Sequence, residues 1–213
     1  MLLFVNTLFL DLASHHGVVA CVDSDAIFAL RKIDQRIGDH ELLPLLENLL
    51  VDADLSFSEL DRIACVVGPG GFMSLRVGVS VANALADTVS IPLAGVHLSD
   101  LYLARVKDEV ANKSKESPLL WLHSTKKEEL FVCSLDGKMS DWKEPTHLRL
   151  ADLTAKKEKI FFVGELLPEH RSALEEGGWK EANLSPLEEI LPSFLSSLQY
   201  KKEQLLPWYG RGW

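Results

Sequence analysis

The residues best suited to chemistry lie in one short run, VVGPGGFMSLRVG (Val66 to Gly78), where a β-rich stretch passes through a Gly-rich turn into a helical pattern. Such a turn aims free backbone N–H groups and the positive end of a helix dipole at its own mouth, which suits an anion. Gly68, Gly70 and Gly71 are therefore candidate anion-binding positions. Arg76, a cation in the first helical turn, opposes the dipole unless an acidic group or bound anion sits beside it. The spacing matches neither a Walker loop nor G-x-G-x-x-G. A tight strand-to-helix connection that needs glycine for its shape accounts for the same residues.

Asp11 closes the first apolar run, where a carboxylate can hold a metal, polarise a water or cap a turn. The histidines (His15, His16, His40, His97, His123, His147 and His170) show no H-x-x-x-H or H-E-x-x-H spacing, so no metal site is assigned. No G-x-S-x-G elbow or Ser, His and Asp grouping points to a nucleophile. Neither a catalytic residue nor a cofactor is assigned. Cys21, Cys65 and Cys133 are odd in number, far apart and flanked by apolar residues, which suits buried thiols in a reducing, cytoplasmic compartment.

The elements that position these residues follow from periodicity. The first apolar run, Gly17 to Val22 and Ala26 to Leu30 predict a three-strand antiparallel meander, with a polar turn at Asp23-Ser24-Asp25. The opening run lacks a basic n-region and is interrupted by Asn6 and Asp11, so it reads as a buried strand and not as a signal or spanning segment. Leu42, Leu46, Leu49 and Ala53 recur at helical spacing, and Leu43 and Leu50 widen the stripe. Asp39 is a candidate N-cap, which leaves Pro44 past the first turn unless the helix begins later. Asp61 to Val67 predicts a strand, about Ser74 to Thr88 a helix, and Ile91 to Val96 a strand. That helix has two apolar faces, Leu75, Val79, Ala82 and Ala86 on one and Val77, Val81, Ala84 and Leu85 on the other.

The second half repeats this order loosely: a helix over Leu98 to Val110, a polar linker from Lys107 to Pro118, strands near Leu119 to Leu122, Glu129 to Leu135 and Ile160 to Val163, and helices near Pro168 to Glu176 and Pro186 to Leu198. Residues 1–100 are expected to form a first lobe and 101–213 a second lobe with the tail, joined within 99–118. Plain core explains the apolar helix faces in part. Six leucines (Leu42, Leu43, Leu45, Leu46, Leu49 and Leu50) exceed one helix face, and association would bury the surplus.

Composition bounds the partners. The 213 residues are 47% apolar and 25% charged, as in a globular chain, which excludes disorder and collagen. A net charge of −9 argues against a stand-alone nucleic-acid binder. The acidity is concentrated in residues 1–105, with 6 basic and 13 acidic side chains against 16 and 18 in the remainder. Trp208, Tyr209 and Trp213 surround Arg211 in the tail and could stack on a base or partner, or fold back on their own domain.

Leu55 to Ala104 resembles the long block of the bacterial TsaB (YeaZ) family around G-P-G-S-F-T-G-x-R-x-G, a small-residue helix and I-P-x-x-G-V. FLDLASHHGVVACV is similar to that family's I-D-T-x-T start, DHELLPLLENLL to its H-S-E-x-L-L-P helix, and Pro207, Tyr209 and Arg211 to its closing P-x-Y-x-R. The resemblance implies an α/β fold of two actin-like, ribonuclease H-like lobes in β-β-β-α-β-α order. It also implies a noncatalytic accessory role in adding threonylcarbamoyl to an adenosine of transfer RNA. The implied partner is a TsaD-type transferase, with a TsaE-type ATPase joining, self-dimerisation when alone, and only indirect contact with transfer RNA. Pairing in the family uses the first-lobe helices, here Leu42, Leu43, Leu46, Leu49, Leu50, Val77, Val81, Ala84 and Leu85. The chain departs from the family pattern at Leu12 and Ser14, at Gly71 to Ser74, and at Ser124, Thr125 and Lys126. The alternative is an actin-fold enzyme, a nucleotide-dependent transferase or metallopeptidase, using Asp11 and the Gly68 to Phe72 turn.

Overall fold

Thr7–Asp11 (β1) is buried along its whole length and takes the centre of a sheet. A strand buried at every position, its polar ends Thr7 and Asp11 included, is covered on both sides. The computed structural model describes residues 5–34, 37–106, 117–154 and 159–210. Gly17–Val22 (β2) pairs antiparallel with β1, and Ile27–Ile33 (β3) pairs antiparallel with β2, which is the expected meander. Arg62–Gly68 (β4) joins β1 in parallel, and Leu93–His97 (β5) joins β4 in parallel.

Parallel pairing requires crossovers, and these are helical. Asp39–Asp52 (α1) links β3 to β4, and Phe72–Val89 (α2) links β4 to β5. Asp39 is the first helical residue and not the cap. Gly38 precedes it, and the Glu41 carboxylate accepts the Gly38 N–H at 2.7 Å. The helix runs through Pro44, which removes one backbone donor from its second turn. Leu42, Leu46, Leu49 and Leu50 pack with Leu8, Leu10, Val19, Cys21, Ile63, Cys65, Val79, Ala82 and Ala86 in one core.

Leu98–Arg105 (α3) follows; its expected continuation to Val110, and the linker through residue 116, lie outside the described residues. Leu119–Lys126 (β6) pairs antiparallel with Glu129–Ser134 (β7), which pairs antiparallel with Thr146–Arg149 (β8). Phe161–Glu165 (β9) lies parallel to β6, and Lys180–Glu181 (β10) parallel to β9. Two short helices, Leu150–Thr154 (α4) and Pro168–Glu176 (α5), cover a core of Leu120, Leu122, Val132, Leu153, Phe162 and Leu174.

Among the described residues each sheet has five strands, and both run in the same sequence, third, second, first, fourth, fifth. The duplication suggested by element order is thus a repeated sheet plan, and the fold is the ribonuclease H-like one of the actin-like class. Leu187–Ser197 (α6) and the chain to Tyr209 belong to the compact unit of residues 1–98, whereas Ser99–Pro186 form the second. This corrects the expected assignment of 101–213 to one lobe. The physical reason is a series of ties: Lys32 to Glu188 at 3.4 Å, and backbone pairing of Lys201 with Leu93 at 2.8 Å.

Candidate functional site

The Gly-rich turn leaves the C-terminal end of β4 and enters α2, with Gly71 just ahead of the helix and the Gly68–Pro69 peptide cis. Its glycines are required by close approach. Gly68 has φ +145°, and a Cβ there would lie 2.2 Å from the carbonyl oxygen of Trp208. A Cβ on Gly70 would lie 2.6–2.8 Å from Ala13. Gly71 is exposed, and the Arg76 guanidinium lies over the Phe72 ring at 5.3 Å. Packing alone accounts for the glycine at positions 68 and 70, so the anion reading gains no separate support from them.

The Asp11 carboxylate closes the turn after β1. Its Oδ1 accepts the N–H groups of Ala13 and Ser14 at 3.0 and 3.1 Å, and its Oδ2 accepts the Ser14 hydroxyl. This turn-capping use is the local structure expected of an Asp followed by small residues. Ser14 stands where the resemblance placed a departure, and its hydroxyl supplies a third bond to the carboxylate.

The apolar helix faces separate cleanly. On α2, Leu75, Val79, Ala82 and Ala86 are buried on the sheet, whereas Val77, Val81 and Leu85 are half-buried and Ala84 is exposed. On α1, Leu42, Leu46, Leu49 and Leu50 are at most 2% exposed, so these four offer no surface to a partner. Naming them as interface residues is corrected by the core they fill. Leu43 is 44% exposed and Val51 76%, and Val51 was not singled out by the leucine stripe.

The second unit holds a polar cluster that no sequence spacing revealed. Ser124 and His170 are 46 residues apart, yet the Ser124 Oγ lies 2.8 Å from His170 Nδ1. His170 Nε2 lies 2.7 Å from the Lys127 carbonyl oxygen, and the Leu167 N–H donates to Ser124 Oγ at 3.0 Å. A carbonyl only accepts, so Nε2 carries a proton, and in the neutral ring Nδ1 accepts from the serine hydroxyl. Both side chains are at most 2% exposed. They tie β6 to the start of α5 and are closed to a substrate. Arg211 and Trp213 lie outside the described residues. The thiols of Cys21 and Cys133 are pushed up by burial to about 12 and about 11, and that of Cys65 further still, with the Asp11 charge adding to its burial. Such thiols are inert at neutral pH.

Fold and site together define an actin-like, ribonuclease H-like protein whose Gly-rich turn is closed by its own tail. The chain belongs to the TsaD family, described as tRNA N6-adenosine threonylcarbamoyltransferase, which its residues 36–183 match. It is similar to the tRNA threonylcarbamoyladenosine biosynthesis protein TsaB of Buchnera aphidicola subsp. Schizaphis graminum, 26% identical over 89 residues, 42% of each chain. It is also similar to the tRNA N6-adenosine threonylcarbamoyltransferase of Bacillus thuringiensis, 39% identical over 81 residues, 37% of this chain and 24% of that one. The chain therefore spans less than half the length of these relatives. In fold it is similar to YeaZ from Pseudomonas aeruginosa, with a TM-score of 0.63, 17% identity and coverage of 96% and 99% of the two chains. Among the described residues no helix is long and apolar enough to cross a membrane.

Proposed function

We propose that this chain serves the synthesis of threonylcarbamoyladenosine in transfer RNA as a noncatalytic scaffold that docks a TsaD-type transferase subunit on the outer flank of α2. The observation that carries this reading is the apolar rim of the first unit. Val77, Val81, Ala84 and Leu85 remain partly or fully accessible, with Leu43 exposed on α1, while the residues inward of them are sealed in the core. Covering roughly 150 Å² of such surface contributes about 4 kcal/mol.

In this reading a TsaE-type ATPase joins the pair, the isolated chain self-associates through the same flank, and transfer RNA is held by other subunits in the cytoplasm. The charge supports that division. The acidic excess lies in the half that carries α1 and α2, which repels phosphate. The engagement of the Asp11 carboxylate by three local donors supports a structural use of the residue on which an enzyme of this fold would rely.

Val81→Asp places a carboxylate in the apolar seam and is expected to weaken docking at least about 100-fold, by analogy with an unpaired buried charge. Val81 is half-buried on the isolated chain, so the variant keeps its circular dichroism. Undiminished co-purification with the TsaD-type subunit would falsify the reading. Calorimetric binding of ATP or a divalent ion to the isolated chain would favour the actin-fold enzyme instead.

A further inference from the structure

The stretch from Leu198 to Tyr209 has no helix or strand of its own, yet it meets three elements of the first unit in succession. At β5, Leu93 and Lys201 exchange two backbone hydrogen bonds of 2.8 Å. At α2, the Asn83 carboxamide receives the Leu205 N–H on Oδ1 at 2.8 Å and donates from Nδ2 to the Leu205 carbonyl at 3.0 Å. At the end of β4, the Trp208 N–H donates to the Val67 carbonyl at 2.8 Å. Leu205 and Trp208 are partly buried against the core, Trp208 meets the His97 ring at 5.0 Å, and Tyr209 meets Phe72 at 4.9 Å. The carbonyl of Trp208 is the group that makes glycine necessary at position 68.

Helical spacing gives these contacts a direction. Asn83 shares a flank of α2 with Phe72 and Arg76, while Val77, Val81 and Leu85 lie on the opposite flank. The helix is therefore gripped from one side and open on the other. A primary amide presents donor and acceptor together, so Asn83 completes a backbone-like pair with Leu205 that an apolar side chain cannot.

We propose that residues 201–209 are a strap that sets how α2 sits on its sheet, with Asn83 as the positioning residue, so that strap closure and partner docking on the opposite flank form one coupled equilibrium. This rests on the docking reading above and adds its regulation. Coupling of this kind is reciprocal: if closing the strap favours docking, docking must protect the strap.

The test uses the full chain. Hydrogen exchange is followed at the amides of Leu205 and Trp208 and along α2, with and without the TsaD-type subunit. Added partner is expected to slow exchange at Leu205 and Trp208 although it docks on the far flank. Asn83→Ala is expected to speed exchange at those amides and along α2, to abolish the protection by partner, and to weaken docking about tenfold, the scale of one or two net hydrogen bonds. Leu206→Ser alters a strap residue that is 79% exposed and leaves all three readouts unchanged. Strap amides indifferent to partner, or freed by Asn83→Ala with docking at full strength, would overturn the proposal. If the wild-type chain fails to dock, the docking reading falls by itself. The strap is then judged by the isolated chain, where unchanged exchange along α2 in Asn83→Ala overturns it.

Discussion

The two units share one strand plan and differ in the helices that cross it. In the first, the connections after the third and fourth strands are helices of 14 and 18 residues; in the second, the described residues hold helices of 5 and 9. A 5-residue helix makes little more than one turn. Among the described residues it covers its sheet with one buried side chain, Leu153. An 18-residue helix has one face for the sheet and a flank to spare, and on α2 that flank carries Val77, Val81 and Leu85. Repetition of a sheet order thus preserves the core, while in the first unit the long α2 leaves an apolar flank beyond what its sheet covers.

The comparison can be broken most forcefully at the core of the first unit. Leu46 is fully buried, so Leu46→Asp is expected to cost on the order of 4 kcal/mol or more and to unfold that unit, seen as loss of cooperative melting by calorimetry. A folded Leu46→Asp protein that merely loses its partner would instead restore α1 as an interface. Gly68→Ala meets the Trp208 carbonyl and a positive φ, and should lower stability by about 1–3 kcal/mol, read as a fall in melting temperature.

The buried thiols compare the two cores by pH. Their folded-state values lie above the ordinary 9.0, so the folded form holds the proton longer and stability falls as pH rises above about 9. The Cys21 contribution is lost progressively up to about pH 12 and that of Cys133 up to about pH 11. Cys21→Ala should flatten the alkaline slope of melting temperature more than Cys133→Ala. A reversed effect would place the tighter core in the second unit, and an equal one would remove the difference between the cores. The smallest change is expected at the exposed Ala151 of α4, where Ala151→Asp should alter stability by less than about 0.5 kcal/mol and leave docking intact, by thermal melting and co-purification. Lost docking in this variant would give the second unit an interface of its own.

Local pattern made much of the fold legible. Gly17–Val22 and Pro168–Glu176 fall where alternation, apolar runs and the leading proline put them, because those signals act over a few residues. The strand Thr146–Arg149 and the two-residue Lys180–Glu181 carry no readable signal, since each is too short to show a period. At the site, periodicity marks Leu75, Val79, Ala82 and Ala86 as the inner face of α2, and the structure adds Gly78 to it. The leucines of α1 are core where their stripe suggests an interface, because a stripe shows which residues avoid water but not how much of the chain is already there to cover them. Asn83 carries a polar side chain on an apolar helix, which is a signal, but its partner Leu205 lies 122 residues away.

What the sequence by itself determined was the order of elements along the first half, the buried thiols, the acidic first half and the two-faced character of α2, all consequences of side-chain type at short spacing. Only the tertiary structure decided that Leu42, Leu46, Leu49 and Leu50 are core, that Ser124 pins His170, and that the tail closes over the Gly-rich turn. Those outcomes depend on which distant surfaces meet, and burial or hydrogen bonding between segments far apart in the chain leaves no period along it.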